Sequence, residues 1–163
     1  EHPDVASALR KLAGVLTSQD DIAEAETLYR RSLVIHERAL GPEHATVGLS
    51  LNVLGDLLCG QERYDEAEPL CRRSLAIQEA TMGPEHLNVA TSLHNLAVVL
   101  RGQGNYPEAE ALFRRVLAMQ QNSLGLDSPD VVSTLKELGT LMYNQGKYVE
   151  AEALNRRILS ITE

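Results

Sequence analysis

Three histidines, His2, His44 and His86, stand 42 residues apart, and three imidazoles brought together would make a metal site. Four arginine pairs keep the same step: Arg30-Arg31, Arg72-Arg73, Arg114-Arg115 and Arg156-Arg157. Paired guanidinium groups suit a phosphate or a nucleic-acid backbone. Two thiols, Cys59 and Cys71, complete the reactive groups, as a disulfide or a nucleophile. Whether any of this chemistry is realised depends on the elements that position these residues.

All of them sit on one period. Ala25, Ala67, Ala109 and Ala151 are 42 apart, each followed by a glutamate (Glu26, Glu68, Glu110, Glu152) that lies four residues before an arginine pair. Gly41, Gly83 and Gly125 keep the beat, and Ser128 fills the fourth histidine slot. Four copies without an insertion or deletion imply stacked, near-identical units, because each unit can bury its apolar face only against the next. Stacking spreads the histidines along one edge, where they serve as helix-start residues and not as ligands, so no metal site is expected. The glutamate–arginine pairs, i to i+4 in the favourable order, make a solvated outer face and support each helix by about 0.3–0.5 kcal/mol. The cysteines fall at unrelated points of one repeat and give no disulfide framework. Cys71 reads as an apolar filler and Cys59 as a surface thiol in a reducing compartment. No serine or cysteine has an identifiable histidine partner, and Gly102-Gln103-Gly104 is an interhelix turn, not a phosphate loop. Neither an enzyme nor a cofactor is expected.

The second unit shows how one period folds. Val47, Leu51, Leu54, Leu57 and Leu58 recur at threes and fours and make one helical stripe. After the break Gly60-Gln61-Glu62-Arg63, a second stripe runs through Tyr64, Ala67, Leu70, Cys71, Leu75 and Ile77 to Met82. Gly83 is expected as a left-handed cap and Pro84 as the stop. Ser128-Pro129-Asp130 and His2-Pro3-Asp4 have the grammar of a helix start: a cap, a first-turn proline and an acid facing the dipole. Pro69 and Pro107 are expected in the first turn of their helices, where a missing N–H does no harm. Each unit is therefore a helical hairpin.

The 163 residues are 44% hydrophobic and 23% charged, an ordinary globular composition, with a net charge of −8. That charge argues against nonspecific binding to nucleic acid or to an anionic membrane. No apolar run approaches the length of a membrane span. The chain opens partway into a repeat, so it is expected to be part of a longer array.

The set Leu51…Leu54-Gly55…Leu58…Tyr64…Ala67…Cys71…Leu75 resembles the tetratricopeptide repeat, as does Leu135…Leu138-Gly139…Met142…Gly146…Tyr148…Ala151. The 42-residue period, the Glu-Ala-Glu…Arg-Arg run and the Leu-Gly-Pro-Glu-His or Met-Gly-Pro-Glu-His linkers are similar to the kinesin light chain subclass. The resemblance covers essentially the whole chain. It departs at Asp20 and Ile22, where the family has glycine and tyrosine, and at Glu62, again in place of that glycine. Those turns must find a left-handed residue elsewhere or bear a cost.

The resemblance implies an all-α fold: a right-handed α-solenoid (superhelix) of antiparallel helix hairpins, four repeats at about 2–43, 44–85, 86–127 and 128–163. It also implies a concave groove, lined by the first helices, that grips extended peptides. Carried over position by position, the groove receives Arg10 and Lys11, then Asn52 and Asp56, then His94, Asn95 and Arg101, then Lys136, Glu137, Thr140 and Tyr143. Eight of the fifteen lysines and arginines belong to the outer pairs, and four of the other seven (Arg10, Lys11, Arg101, Lys136) face this groove against Asp56 and Glu137. A basic stripe in an acidic body favours an acidic peptide. Asn52 and Asn95 offer a peptide backbone both a donor and an acceptor. The carboxylate clamp of chaperone-tail binders is absent: counted from repeat one, its pattern meets Gly14 and Val53. The expected function is a noncatalytic, cytoplasmic interaction scaffold of the cargo-adaptor type, monomeric or weakly self-associating. A spacer or self-association arm of a larger multidomain protein is the alternative.

Overall fold

The structure, a computed structural model, describes residues 2–162. Among these residues there are eight helices and no strand: α1 (Pro3–Ser18), α2 (Ile22–Leu40), α3 (Ala45–Gly60), α4 (Tyr64–Met82), α5 (Leu87–Gly102), α6 (Tyr106–Leu124), α7 (Pro129–Asn144) and α8 (Tyr148–Thr162). This is an all-α helical-repeat fold, with two helices in each period. None of these helices is long and apolar enough to cross a membrane. The chain divides into two compact units, α1–α4 up to Pro84 and α5–α8 from Glu85. Within each, every helix packs on its chain neighbours, so two hairpins join through their middle pair, α2 on α3 or α6 on α7.

The recurring histidines are N-caps. The Nδ1 of His2, His44 and His86 accepts from the N–H of Asp4, Thr46 and Asn88 at 3.3, 3.2 and 3.1 Å, and Ser128 Oγ accepts from Asp130 at 3.3 Å. Each satisfies one of the amides that a helix start leaves unpaired. The alanines at 42-residue spacing, Ala25, Ala67, Ala109 and Ala151, are all buried where the two helices of a hairpin meet. Gly55 marks the tightest approach: a Cβ there would lie 2.7 Å from Cys71 Sγ. That burial also pushes the Cys71 thiol up to about 12, so it is inert filler as its position implied.

Two local expectations need correction. Gly41, Gly83 and Gly125 do have positive φ (91°, 90° and 88°), but with ψ of 153°, 151° and 167° they lie outside the left-handed helical basin. Two of them precede proline, which drives ψ to extended values, and glycine alone tolerates the combination. Second, Pro69 is the sixth residue of α4, not a first-turn residue. Its nitrogen cannot donate to the Asp65 carbonyl four residues back, a defect that α4 tolerates because Pro69 lies on its exposed side. Pro107, at the second position of α6, behaves as expected.

At the two turns lacking glycine, the second of the expected outcomes holds and the cost is borne. Asp20 and Glu62 adopt the left-handed conformation themselves, at φ 65° and 60°, in the slots of Gly104 and Gly146. All four turns close the same way. The residue after the left-handed one donates to a carbonyl five back, as in Arg63 to Leu58 at 3.0 Å and Lys147 to Met142 at 2.9 Å. Glu62 therefore bears the steric cost in place. Glu62→Gly is expected to raise stability by about 0.5–1 kcal/mol, the left-handed penalty less glycine's greater unfolded-state entropy. Asp20→Gly should gain less, because aspartate tolerates that conformation better. Urea unfolding of the wild type and both variants checks the sign and the order.

Candidate functional site

The side chains expected to line a groove belong to α1 and α3 in one unit and α5 and α7 in the other. In the first unit Lys11 and Asp56 are exposed, Arg10 is half-buried and Asn52 is buried, only 8% exposed. Arg10 leans inward far enough that its Nε is buried, without a hydrogen-bond partner among the described residues. In the second unit His94 stacks edge-on against Phe113 with ring centroids 5.5 Å apart, and Asn95 is half-buried beside it in sequence. Arg101 is bonded to the carboxylate of Glu137, so these two groove charges cancel each other. Lys136 is exposed. Thr140, also exposed, spends its hydroxyl on the Lys136 carbonyl at 3.0 Å. Tyr143 stands clear of the surface, 65% exposed, edge-on to Tyr148.

Three pockets open in the second unit, one of about 340 Å³ bordered by both Ser133 and Lys136. One of about 350 Å³ is lined by Thr91, His94, Gln120, Asp130, Ser133 and Thr134. Another of about 400 Å³ is lined by Lys136, Gly139, Thr140, Tyr143, Ala151 and Asn155. The structure thus brings together Thr91, His94 and Ser133 in one pocket, Lys136, Thr140 and Tyr143 in another, and Ser133 with Lys136 in the third.

A row of buried polar residues beneath these faces escaped the sequence reading. His36 on α2 is fully buried with Nδ1 2.9 Å from Ser50 Oγ on α3, and Thr134 on α7 donates to Gln120 on α6 at 2.7 Å. Both bonds join one hairpin to the next. The signal was present: the slot reads His36, Gln78, Gln120, polar in successive copies of an otherwise apolar stripe. Ser50 gives its own proton to the Thr46 carbonyl at 3.0 Å, so His36 Nδ1 is the donor, and its buried Nε2 has no hydrogen-bond partner among the described residues. Burial holds this imidazole below its ordinary value, the Arg10 and His44 charges push the same way, and the Pro3 backbone opposes them.

The arginine pairs do more than support their own helices. Glu26 receives Arg30 at 2.7 Å and also Arg63 of the next hairpin at 2.6 Å, while Arg63 reaches Glu66 at 2.8 Å. The second unit repeats the arrangement, with Glu110 receiving Arg114 at 2.9 Å and Lys147 at 3.0 Å. Arg73 crosses to Glu37 at 2.5 Å. The Arg63 bond holds the Glu26 carboxyl below its usual range. At Glu110 partial burial works upward and is outweighed by Lys147, Arg114 and Gln145. Arg63, Arg73 and Lys147 clamp hairpin to hairpin, and Arg30 and Arg114 reach Glu66 and Glu150 of the next hairpin at 3.5 Å, so these charges are matched without a phosphate. Among the described residues no group of three or more His, Cys, Asp or Glu could hold a metal ion.

The tetratricopeptide repeat family matches residues 4–70, 46–122 and 93–163. Two crystal structures of a kinesin light chain candidate from Podosopora anserina with nearly identical TPR-like repeats are each 26% identical to the chain. Their TM-scores are 0.84 and 0.81, over 98% and 99% of this chain and 76% of that one. BtubC (BKLC) from P. vanneervenii, 23% identical, shares the fold with a TM-score of 0.90 over 99% of this chain and 65% of its own. No curated protein matches significantly.

His36 makes stability acid-sensitive. The unfolded imidazole takes a proton near its ordinary value of about 6.5 while the folded one resists, so its contribution is complete above that pH. It declines as pH falls through the ordinary value towards the lowered folded one. His36→Gln, which installs the residue found at positions 78 and 120, should flatten the dependence of unfolding free energy on pH between about 7 and 5. Equal slopes in the two proteins would contradict this.

Proposed function

The chain belongs to the tetratricopeptide repeat family, and from that premise we propose that it is a noncatalytic cytoplasmic adaptor that holds a linear segment of a partner protein against the exposed faces of its first helices. Repeats of this family serve as protein–protein interaction scaffolds. The observation that carries the finer reading is Lys136. It is exposed and borders the pocket with Thr140 and Tyr143, and among the described residues no acidic side chain lies within ion-pair distance of it, whereas Arg101 is matched by Glu137 and the outer Arg30 and Arg114 reach acids of the next hairpin. A lysine so placed on a protein of net charge −8 favours an acidic segment, with Tyr143 offering an apolar wall beside it. The similarity to kinesin light chain-like repeats supports an adaptor of that type.

Screening a library of labelled linear peptides identifies the ligand class. Lys136→Glu should then weaken the best acidic peptide by about tenfold at low ionic strength, with the loss shrinking as salt screens it. Arg114→Glu, on the outer face, should leave affinity unchanged. Loss of binding from Arg114→Glu with Lys136→Glu behaving as wild type would move the partner to the outer face and sink the proposal.

A further inference from the structure

The place bounded by α5, α6 and α7 in the second unit corresponds, two periods on, to the place bounded by α1, α2 and α3 in the first. In the first unit Arg10 leans into it with its Nε buried, close enough to His36 for the guanidinium to depress that imidazole. In the second unit the slot of Arg10 holds His94 and the slot of His36 holds Gln120. The shorter His94 rests edge-on against Phe113, and the place is a pocket of about 350 Å³. Its wall differs as well: Asp130 stands in the slot of Thr46, and Ser133 in the slot of Leu49. The chain's own cation is gone, the basic imidazole is replaced by a neutral amide, and the wall has gained an acid and a hydroxyl.

The polar groups of that wall are not engaged elsewhere. Thr17, Thr81 and Thr140 return their hydroxyls to the carbonyl four residues back. The hydroxyls of Thr91 and Ser133 make no hydrogen bond among the described residues, and the Asp130 carboxylate has neither hydrogen bond nor ion pair there. Asp130 is the one ionised side chain of the lining, on a protein of net charge −8.

We propose that this pocket receives the side chain of an arginine on a partner protein, its guanidinium against Asp130, in the place that Arg10 fills in the first unit. A guanidinium is donor-only, and the carboxylate and hydroxyls of the wall are acceptors for it. The planar fork suits a carboxylate better than an ammonium does, and a protein of this charge draws cations towards it. The pocket also adjoins the lysine of the previous subsection. Ser133 borders both this pocket and the one that Lys136 enters. Asp130 and Lys136 lie about 9 Å apart along the axis of α7, which an extended segment crosses in about three residues. Joined to the acidic-segment reading, on which this step alone rests, the partner segment carries an arginine and an acid about three residues apart.

The test is a titration of the chain with N-acetyl-arginine amide, followed by the nuclear magnetic resonance shifts of its backbone amides. Those around Thr91, Asp130 and Ser133 should move and saturate. The citrulline analogue, similar in shape without the charge, should bind about tenfold more weakly, and so should arginine amide to Asp130→Asn. Glu152→Gln, which removes the same charge from the outer face, should bind as wild type does. His94→Arg restores the arrangement of the first unit, so the chain's own guanidinium should close the pocket and abolish binding with helical circular dichroism unchanged. Equal binding of arginine and citrulline, wild-type affinity in Asp130→Asn, or no saturable shift at this pocket would each overturn the proposal. A peptide carrying arginine and glutamate about three residues apart should bind about tenfold tighter than one carrying arginine alone. Absence of that gain with arginine binding intact would count against the acidic-segment reading and leave the pocket's role standing.

Discussion

A two-helix hairpin of this composition has two apolar edges and can cover only the seam between its own helices. The edges must be buried by a neighbour in matching register, and this requirement organises the rest of the structure. At the junction of α2 and α3 three interactions of different kind obey it together. Leu33 packs on the Val47–Leu51 cluster, the buried His36 bonds Ser50, and Glu26 receives Arg63 on the outside. The α6–α7 junction repeats all three with Leu117, Gln120–Thr134 and Glu110–Lys147. A slip of one residue would rotate the stripe out of the seam and break the polar and ionic contacts at once. The apolar layer supplies most of the stabilisation, and the buried polar pair confers register because an unmatched donor there is costly.

That constraint explains which features were legible in the sequence. Caps, turns and stripes recur at fixed offsets, so His44, Ala67 and the Glu68–Arg72 pair announce their roles by repetition. What repetition conceals is the exception within a slot. Glu62 stands where glycine belongs and takes the left-handed conformation because its neighbours' hydrogen bonds impose it. Pro69 survives inside α4 because the rest of the helix is held by packing on both sides of the seam. The pairing of Arg101 with Glu137 was out of reach for another reason. Both were correctly assigned to first helices, but a tally of charges cannot show that a guanidinium 36 residues away finds a carboxylate on the next first helix.

The division of labour between the helices follows. Second helices are occupied on their outer side by inter-hairpin clamps, and their inner side is core. First helices bury one side and keep a polar one, and it is there that Thr91, His94, Ser133 and Lys136 border open pockets. The fold therefore leaves to the first helices the surface that the stacking register does not already use. The slot Arg10, Asn52, His94, Lys136 holds a different residue in each copy, from the buried Asn52 to the exposed Lys136.

If register between neighbours is the governing constraint, one period should be removable as a unit. Excising residues 45–86, which joins His44 to Leu87 and preserves every offset, tests this by circular dichroism and urea unfolding. The account predicts a cooperatively unfolding protein with about three quarters of the helical signal and lower stability. Removing residues 45–84 instead, two short of a period, should abolish cooperative unfolding. Loss of cooperative structure after the in-register excision, or equal behaviour of the two deletions, would contradict it.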